Sequence, residues 1–270
     1  MEDVSGKTVR PPAVASTFYP GDPSTLRAQI RNFIDAVPPS QNIPPKAIIA
    51  PHAGYIYSGL TAAFAYKPLL LAKSQIKRVV LLGPAHRVYV SGMAAPSTDY
   101  FATPLGQILI DRPAIEQVIS QFDYVQTSDA AHAEEHSLEV HLPFLQETLE
   151  DFALIPLVVG EATDSQVGAV LDTLWGGEET LIVISSDLSH FHSYEKAKQQ
   201  DLNTAEIIER FEGDQLDYES ACGRNPIKGL LAVAPHHQLS IQRVDLRNSG
   251  DTAGSKDRVV GYGSWVFWQA

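Results

Sequence analysis

Three short apolar runs, each followed within a few residues by a histidine, constrain this sequence more than any other feature. They are Ile-Ile-Ala-Pro up to His52, Val-Val-Leu-Leu-Gly-Pro-Ala up to His86, and Leu-Ile-Val-Ile-Ser-Ser-Asp-Leu-Ser up to His190. Apolar runs of this length without alternation are typical of strands buried on both faces of a parallel sheet. Ligands bind at the carboxyl edge of such sheets, so three histidines brought to that edge predict a site there.

Helical patterns alternate with these runs. One helix is predicted to begin at Asp22-Pro23, where an N-cap acceptor precedes a proline at the first helical position. Further helices are predicted at Ser58–Leu71, Ala114–Gln121, Ser137–Leu149, Asp164–Trp175, Tyr194–Phe211 and from Pro226 to Ala234, and further strands at Ser91–Pro96, Gly106–Asp111, Phe152–Val159, Leu239–Leu246 and Arg258–Phe267. This alternation predicts an α/β fold, a three-layer αβα sandwich around a mostly parallel or mixed sheet.

We expect one domain over residues 1–270, since no linker divides the chain and no repeat is visible. The proline-rich residues 1–21 are interpreted as an irregular arm packed on the core by Phe18 and Tyr19. The alternative is a lid that brings Tyr19 near the site.

The net charge and the cysteine count exclude some classes of partner and of protein. The formal net charge of −12 argues against nucleic acid or an anionic membrane as the main partner. One cysteine, Cys222, excludes an intramolecular disulfide framework and favours a reducing compartment. The first residues lack the apolar core of a secretory signal, and no run approaches the length of a spanning helix. We therefore expect a cytoplasmic location.

Two histidines with one anionic side chain make a minimal open metal site. With Cys222 as third ligand the donor is a soft thiolate, which suits iron, zinc or Cu(I). A thiolate needs help to stay deprotonated, and Arg224 with the following helix N-terminus could supply it. The alternative interpretation of Cys222 is a small buried hydrophobic residue.

Asp187 and His190, three residues apart after a strand, suggest a carboxylate beside a proton-transferring imidazole; Asp187 could equally cap the next helix. A second cluster contains His132, His136, Glu139 and His141, and His136 and Glu139 are spaced to share one helix face. His136 and His141 are either pocket or structural residues. His192, His236 and His237 are expected at the surface or behind the site. The sequence lacks the usual nucleotide-binding, α/β-hydrolase and His-Glu-x-x-His motifs.

Five motifs together resemble a known family. They are Pro51-His52-Ala53-Gly54-Tyr55, Leu82-Gly83-Pro84-Ala85-His86, Glu135-His136-Ser137-Leu138-Glu139-Val140-His141-Leu142-Pro143, Ser185-Ser186-Asp187 with His190, and Cys222-Gly223-Arg224-Asn225-Pro226-Ile227. In this order they resemble the MEMO (mediator of ErbB2-driven cell motility) family, whose prokaryotic members are also called AmmeMemoRadiSam system protein B. The resemblance runs from about Pro12 to the C-terminus.

The resemblance implies a fold similar to the class III extradiol dioxygenases (LigB type), in which two histidines and a glutamate bind Fe(II) and another histidine is the base. By motif, it implies His52, His86 and Cys222 as metal ligands, with Cys222 in the place of the glutamate. His190 would be the catalytic base and Asp187 would line the same pocket. His136, Glu139, His141, Arg224 and Tyr55 are expected in the pocket or behind it. The family name also implies radical SAM and AMMECR1-type partner proteins.

The cysteine is the departure from the dioxygenases, because exchanging a carboxylate for a thiolate changes charge and redox behaviour. Three hypotheses follow. The first is a metal-dependent redox enzyme, with Fe(II) preferred and Cu or Zn as alternatives, acting on a small or peptide-derived substrate. The second is a non-catalytic module that binds a peptide or phospho-ligand, with Tyr55, Tyr57, Tyr100 and Phe101 lining a groove. The third is a Cys-His hydrolase using Cys222 and His190.

Overall fold

The computed structural model describes residues 6–39 and 43–269, so the first five residues of the predicted arm lie outside the described residues. The strands are β1 Val9–Arg10, β2 Ala47–Ala50, β3 Arg78–Pro84, β4 Met93–Ala95, β5 Tyr100–Thr103, β6 Gly106–Ile110, β7 Val125–Thr127, β8 Ala153–Val159, β9 Thr180–Ser185, β10 His190–His192, β11 Leu239–Asn248 and β12 Val259–Gln269. The helices are α1 Pro23–Ala36, α2 Tyr55–Tyr66, α3 Arg112–Gln121, α4 Asp129–Ala133, α5 His136–Glu139, α6 Leu142–Thr148, α7 Asp164–Leu174, α8 Tyr194–Glu209 and α9 Arg224–Val233, with 3₁₀ turns at Lys67–Ala72, Gly213–Gln215 and Ser249–Asp251.

A parallel block forms the centre of the sheet. Its strands lie in the order β6-β8-β3-β9-β2, each parallel to the next. Every residue of β2 and β9 is buried, as is all of β3 and β8 beyond the first residue. This burial explains their unbroken apolar sequences. Antiparallel pairing with β12 extends the sheet beyond β2, and β11 and β10 in turn pair with β12.

Helices flank the sheet in two groups. In one group α2 contacts α1, α6 and strands β2, β11 and β12; in the other, α9 packs on α7 and on strands β3 and β9, and α3 contacts α7 and β8. The predicted α/β class with a mostly parallel sheet is confirmed. Within the described residues, no helix is long and apolar enough to cross a membrane.

Several predicted boundaries were wrong, each for a local reason. The helix predicted at Ser58–Leu71 begins at Tyr55 and changes to a 3₁₀ turn at Lys67, because Pro68 cannot continue the α-helical bonding. The single helix predicted at Ser137–Leu149 is two short helices, α5 and α6, and Pro143 sits in the first turn of α6. Strands β1, β5, β7 and β10 and helix α4 were missed; each has five residues or fewer.

The arm, from Thr8 to Gly21, is fixed by a buried ion pair. Arg10 donates to the carboxylate of Glu139, and the two side chains are 5% and 0% exposed. Glu139 also accepts from the backbone N–H groups of Ala13 (2.7 Å) and Val14 (3.0 Å) and from the Tyr19 hydroxyl (2.5 Å). Tyr19 is therefore an anchor of the arm, as in the preferred interpretation, and its hydroxyl is committed to Glu139.

Candidate functional site

The carboxyl ends of three neighbouring parallel strands carry the predicted histidines to one place. β9 lies between β3 and β2. His52 follows β2 by two residues, and His86 follows β3 by two. One ring nitrogen of each histidine and the sulfur of Cys222 lie within 4.8 Å of one another. The predicted convergence of His52, His86 and Cys222 is therefore present in the structure.

Cys222 reaches this point from the loop before α9. Its Sγ lies 3.5 Å from His52 Nε2 and 3.6 Å from the Asp187 carbonyl oxygen. The next residue, Gly223, caps α9 and presses against the end of β9, where a Cβ atom would meet the Ser185 carbonyl oxygen at 2.4 Å. Only glycine allows this approach, so Gly223 is the residue that lets the thiol enter the site.

Ser185 fixes the tautomer of His52. The Ser185 hydroxyl donates its single proton to the Ser137 carbonyl oxygen (2.6 Å), so it accepts from His52 Nδ1, which lies 2.6 Å away. His52 Nδ1 therefore carries the proton. The lone pair of Nε2 is left facing the Cys222 sulfur.

Glu135 orients His86 as Ser185 orients His52, by accepting a hydrogen bond from Nδ1. One carboxylate oxygen lies 2.8 Å from His86 Nδ1 and also accepts from the Ser137 backbone N–H (3.0 Å), and the other accepts from the His86 backbone N–H (2.6 Å). A carboxylate is an acceptor, so His86 Nδ1 carries a proton, and Nε2 is the ring nitrogen that could bind a metal. Although burial raises the pKa of Glu135, hydrogen bonds and the charge of His86 outweigh it and lower the value to about 2.

These contacts test whether the residues fit a metal ion. Metal-bound histidines generally donate their second N–H to a carboxylate or another acceptor, which orients the ring. Both imidazoles here have that arrangement before any ion is present, and their free nitrogens share a small volume with a thiol. Two neutral nitrogens and one sulfur form a donor set for iron, copper or zinc. The donor set fits a metal.

Without an ion, His52 and Cys222 are held in their neutral forms. Burial, followed by the charges of neighbouring histidines, lowers the pKa of His52 well below its usual value. Burial and the nearby Asp187 carboxylate raise the pKa of the Cys222 thiol. A bound cation would instead lower the pKa of Cys222, since coordinated thiols lose their proton. Arg224 was expected to help keep Cys222 deprotonated. That expectation was wrong, because burial is the largest effect and raises the pKa of the thiol.

His136 lies against both predicted ligands. Its ring stacks on His86 at 4.6 Å between centroids and meets His52 edge-on at 5.4 Å. Phe18 of the arm covers it at 4.8 Å. Burial and the charge of His86 lower the pKa of His136 to about 4. His86, Glu135 and His136 form a second group of ligand atoms within 4.8 Å, but Glu135 is already engaged by His86.

Asp187 and His190 lie beside His52, one of the predicted ligands. Asp187 is 5% exposed and accepts from the His52 backbone N–H at 2.8 Å. Burial raises the pKa of Asp187, while the charge of His190 acts in the opposite direction, and His190 also contributes to the lowered pKa of His52. The turn between them is held by Asp201, which accepts from the Ser189 N–H at 3.0 Å. These contacts place both residues near His52.

The other predicted pocket residues have different surroundings. Glu139 is committed to the arm; His141 accepts from or donates to the Tyr66 hydroxyl at 2.8 Å; and Tyr55, 2% exposed, donates to the Val140 carbonyl. Arg224 lies flat over the Tyr218 ring, 3.2 Å from its centroid. A groove lined by Tyr55 and Phe101 is not present, because both rings are buried. His237 binds Asp172 on α7, and His192 is paired with Glu219.

Sequence reasoning missed the residues that orient the ligands. Glu135 caps α5, but nothing in the sequence indicates its bond to His86. Ser185 was taken as part of a strand. Cavity size gives no signal either, since a cavity of about 410 Å³ lies at the opposite edge of the sheet beside Lys46 and Thr180. The available signal was position: a serine at the last residue of β9 lies beside the residues after β2.

Comparison with known proteins now identifies the family. The profile described as Memo-like protein matches residues 10–266. The chain belongs to the Memo-like family. It is 36% identical to a MEMO1 family protein of Aquifex aeolicus (strain VF5), over 96% of this chain and 99% of that protein. A MEMO1 family protein of Methanobrevibacter smithii is 33% identical, with the same coverage.

A solved structure supports the fold alone. The crystal structure of uncharacterized protein JW3007 from Escherichia coli K12 aligns with a TM-score of 0.50 at 14% identity, covering 80% of this chain and 98% of that one. The Memo-like family assignment confirms the resemblance stated from the motifs. The roles of individual site residues remain predictions.

Proposed function

We propose that this Memo-like protein is a metal-dependent redox enzyme whose ion is held by His52, His86 and Cys222. The observation that carries the proposal is the common orientation of the two imidazoles: each donates from Nδ1 to a fixed acceptor, and a ring nitrogen of each lies within 4.8 Å of the Cys222 sulfur.

Fe(II) is the preferred ion, with copper and zinc as alternatives. When bound, iron supplies Lewis acidity and one-electron redox chemistry, and three protein ligands leave positions for substrate. His190 would take up the proton of a substrate hydroxyl, because it lies near the Asp187 carboxylate, whose charge would stabilise the imidazolium. Asp187 also holds the backbone of His52 in place. The substrate is small or peptide-derived, and radical SAM and AMMECR1-type partners are part of the proposal.

The hydrolase hypothesis has less support. A Cys-His hydrolase needs a thiolate beside an imidazolium. Here burial raises the pKa of Cys222, so the thiol is neutral, and the imidazole that its sulfur contacts at 3.5 Å is that of His52 and not that of His190, the partner this hypothesis needs. A non-catalytic binding module stays an alternative, and the loss of the predicted tyrosine groove weakens it.

Metal analysis tests the proposal. The full chain is purified anaerobically, loaded with Fe(II) and desalted, and its metal content is measured beside His52→Ala, His86→Ala and Cys222→Ser. We expect one ion per chain in the wild type and loss of binding in the two histidine variants. Co(II) loading adds a sulfur-to-metal charge-transfer band that Cys222→Ser lacks.

His237→Ala is the matched control, because this histidine is bound to Asp172 at the surface. It keeps full metal content. Wild type that retains no iron, copper, zinc or cobalt would refute the proposal. Trapping of Cys222 by an electrophilic amide or ester in metal-free protein would instead support the hydrolase.

A further inference from the structure

The arginines of this protein divide into two sets. Eight of the eleven have a carboxylate oxygen within 4.0 Å: Arg10, Arg27, Arg31, Arg78, Arg112, Arg210, Arg243 and Arg247. The other three are Arg87, Arg224 and Arg258, which have no such partner among the described residues. The chain has 32 acidic residues against 20 basic ones, so partners for an arginine are plentiful.

Exposure of the side chain does not explain why three arginines lack a carboxylate partner. The side chains of Arg31 and Arg210 are 65% and 61% exposed and are nevertheless paired, with Glu147 and Glu206. The three arginines without a partner share a different property, which is their position beside the candidate site.

Each of the three adjoins a different part of that site. Arg87 directly follows His86, and its charge contributes to the lowered pKa of His136. Arg224 begins α9, two residues after Cys222. Arg258 lies 5.0 Å above the ring of Phe191, the neighbour of His190. Two of the guanidinium groups therefore come from segments that carry a predicted site residue, and the third lies over the chain neighbour of another.

Two of these guanidinium groups are held over exposed rings. Arg224 stacks on Tyr218, which is 71% exposed, and Arg258 on Phe191, which is 62% exposed. Phe191 has a left-handed backbone (φ 63°) at an irregular register between β10 and β12, which turns its ring outward. Stacking engages only the face of a guanidinium, so its N–H edge stays available for an oxyanion.

We infer that Arg87, Arg224 and Arg258 form an anion-binding collar around the candidate site, and that the substrate carries a carboxylate or phosphate group. The inference rests on the proposed function for the location of the reacting centre. A chain of net charge −12 repels anions at long range, so an anionic substrate requires a local basic opening. Planar guanidinium forks bind carboxylate and phosphate with two parallel hydrogen bonds.

The test measures anion binding separately from metal binding. Inorganic phosphate and oxalate are titrated calorimetrically into the full chain, metal-free and zinc-loaded, at low ionic strength. Wild type is compared with Arg87→Gln, Arg224→Gln, Arg258→Gln and the triple variant. Each single change is expected to weaken binding about tenfold, the loss of roughly 1.4 kcal/mol, and the triple variant to abolish it. Tighter phosphate binding identifies phosphate esters as the substrate class, and tighter oxalate binding identifies carboxylates.

Arg210→Gln is the matched control, because this arginine is exposed but paired with Glu206 on α8. It should bind both anions as wild type does. The inference is overturned if neither anion binds wild type, if the control loses as much affinity as the collar variants, or if binding appears only with zinc and ignores the arginines. Metal content of the collar variants should equal that of wild type, so failure of the metal proposal and failure of the collar give different results.

Discussion

The buried pair of Arg10 and Glu139 is predicted to be the main fastening of the N-terminal arm. Arg10 donates to Glu139 and to the carbonyl oxygens of His132 (2.9 Å) and Glu135 (2.8 Å). Arg10→Met leaves these buried acceptors without a donor while keeping the length of the side chain. Removing one partner of a buried ion pair costs about 3–5 kcal/mol.

Equilibrium unfolding in urea measures this cost. With a slope of about 3 kcal/mol per molar, the midpoint of Arg10→Met should fall by roughly 1–1.7 M. Glu139→Gln should be destabilising as well, because it places amide protons against donors from Ala13, Val14 or Tyr19. The double variant should lose less than the sum of the two, with a coupling energy of about 1–3 kcal/mol.

Arg31→Gln provides the comparison. This arginine is 65% exposed and pairs with Glu147, so its loss should cost less than about 1 kcal/mol. If Arg10→Met costs no more than Arg31→Gln, or if the two effects at Arg10 and Glu139 add without coupling, the pair does not hold the arm and the reasoning is wrong.

Three further outcomes are expected. Ser185→Ala should weaken metal binding about 10–100-fold and remove the tautomer preference of His52, seen in the ¹⁵N spectrum of the metal-free protein. Burial lowers the pKa of His132 from 6.5 to about 4, so between these pH values the unfolded chain binds more protons than the folded protein. The free energy of unfolding should therefore fall by about 3 kcal/mol as the pH drops from 6.5 to 4. His132→Gln should reduce this dependence of the unfolding free energy on pH. Gly261→Ala should cost about 1–3 kcal/mol or more in urea unfolding, because its Cβ would lie 2.0 Å from a carboxylate oxygen of Asp201.

Each of these has a control on the surface. Ser120→Ala removes an exposed hydroxyl on α3 and should leave metal affinity unchanged. His237→Gln should leave the pH slope as it is in wild type. Gly177→Ala meets only the end of the exposed Glu179 side chain and should be nearly neutral. Unchanged metal affinity in Ser185→Ala, an unchanged pH slope in His132→Gln, or a neutral Gly261→Ala would each contradict the corresponding argument.

The sequence predicts the sheet well because its central strands are uniformly apolar. The apolar run Leu-Ile-Val-Ile-Ser of the sequence lies in β9, observed at Thr180–Ser185, and the location of the site follows from the rule that parallel strands present their carboxyl ends together. The histidines could be found this way because each directly follows a strand. Cys222 could be placed only through the family resemblance, since no local pattern links a loop before α9 to the end of β2.

The remaining parts depend on contacts between distant segments. Helical spacing put His136 and Glu139 on one face, but α5 is a single turn, and the two side chains serve different partners: His136 the site, Glu139 the arm. Nothing in the sequence indicates that Arg10 is buried, because a basic residue in a proline-rich segment normally lies at the surface. Which carboxylate a buried arginine meets is decided by tertiary packing and not by periodicity.

One residue of α5, Ser137, has a consequence for attempts to re-engineer this protein. The carbonyl of Ser137 fixes the hydroxyl that orients His52, and its N–H fixes the carboxylate that orients His86. The two imidazoles therefore share a single backbone reference point. A designer who wishes to exchange the preferred ion cannot adjust one ring independently of the other, and any insertion near Ser137 will disturb both at once.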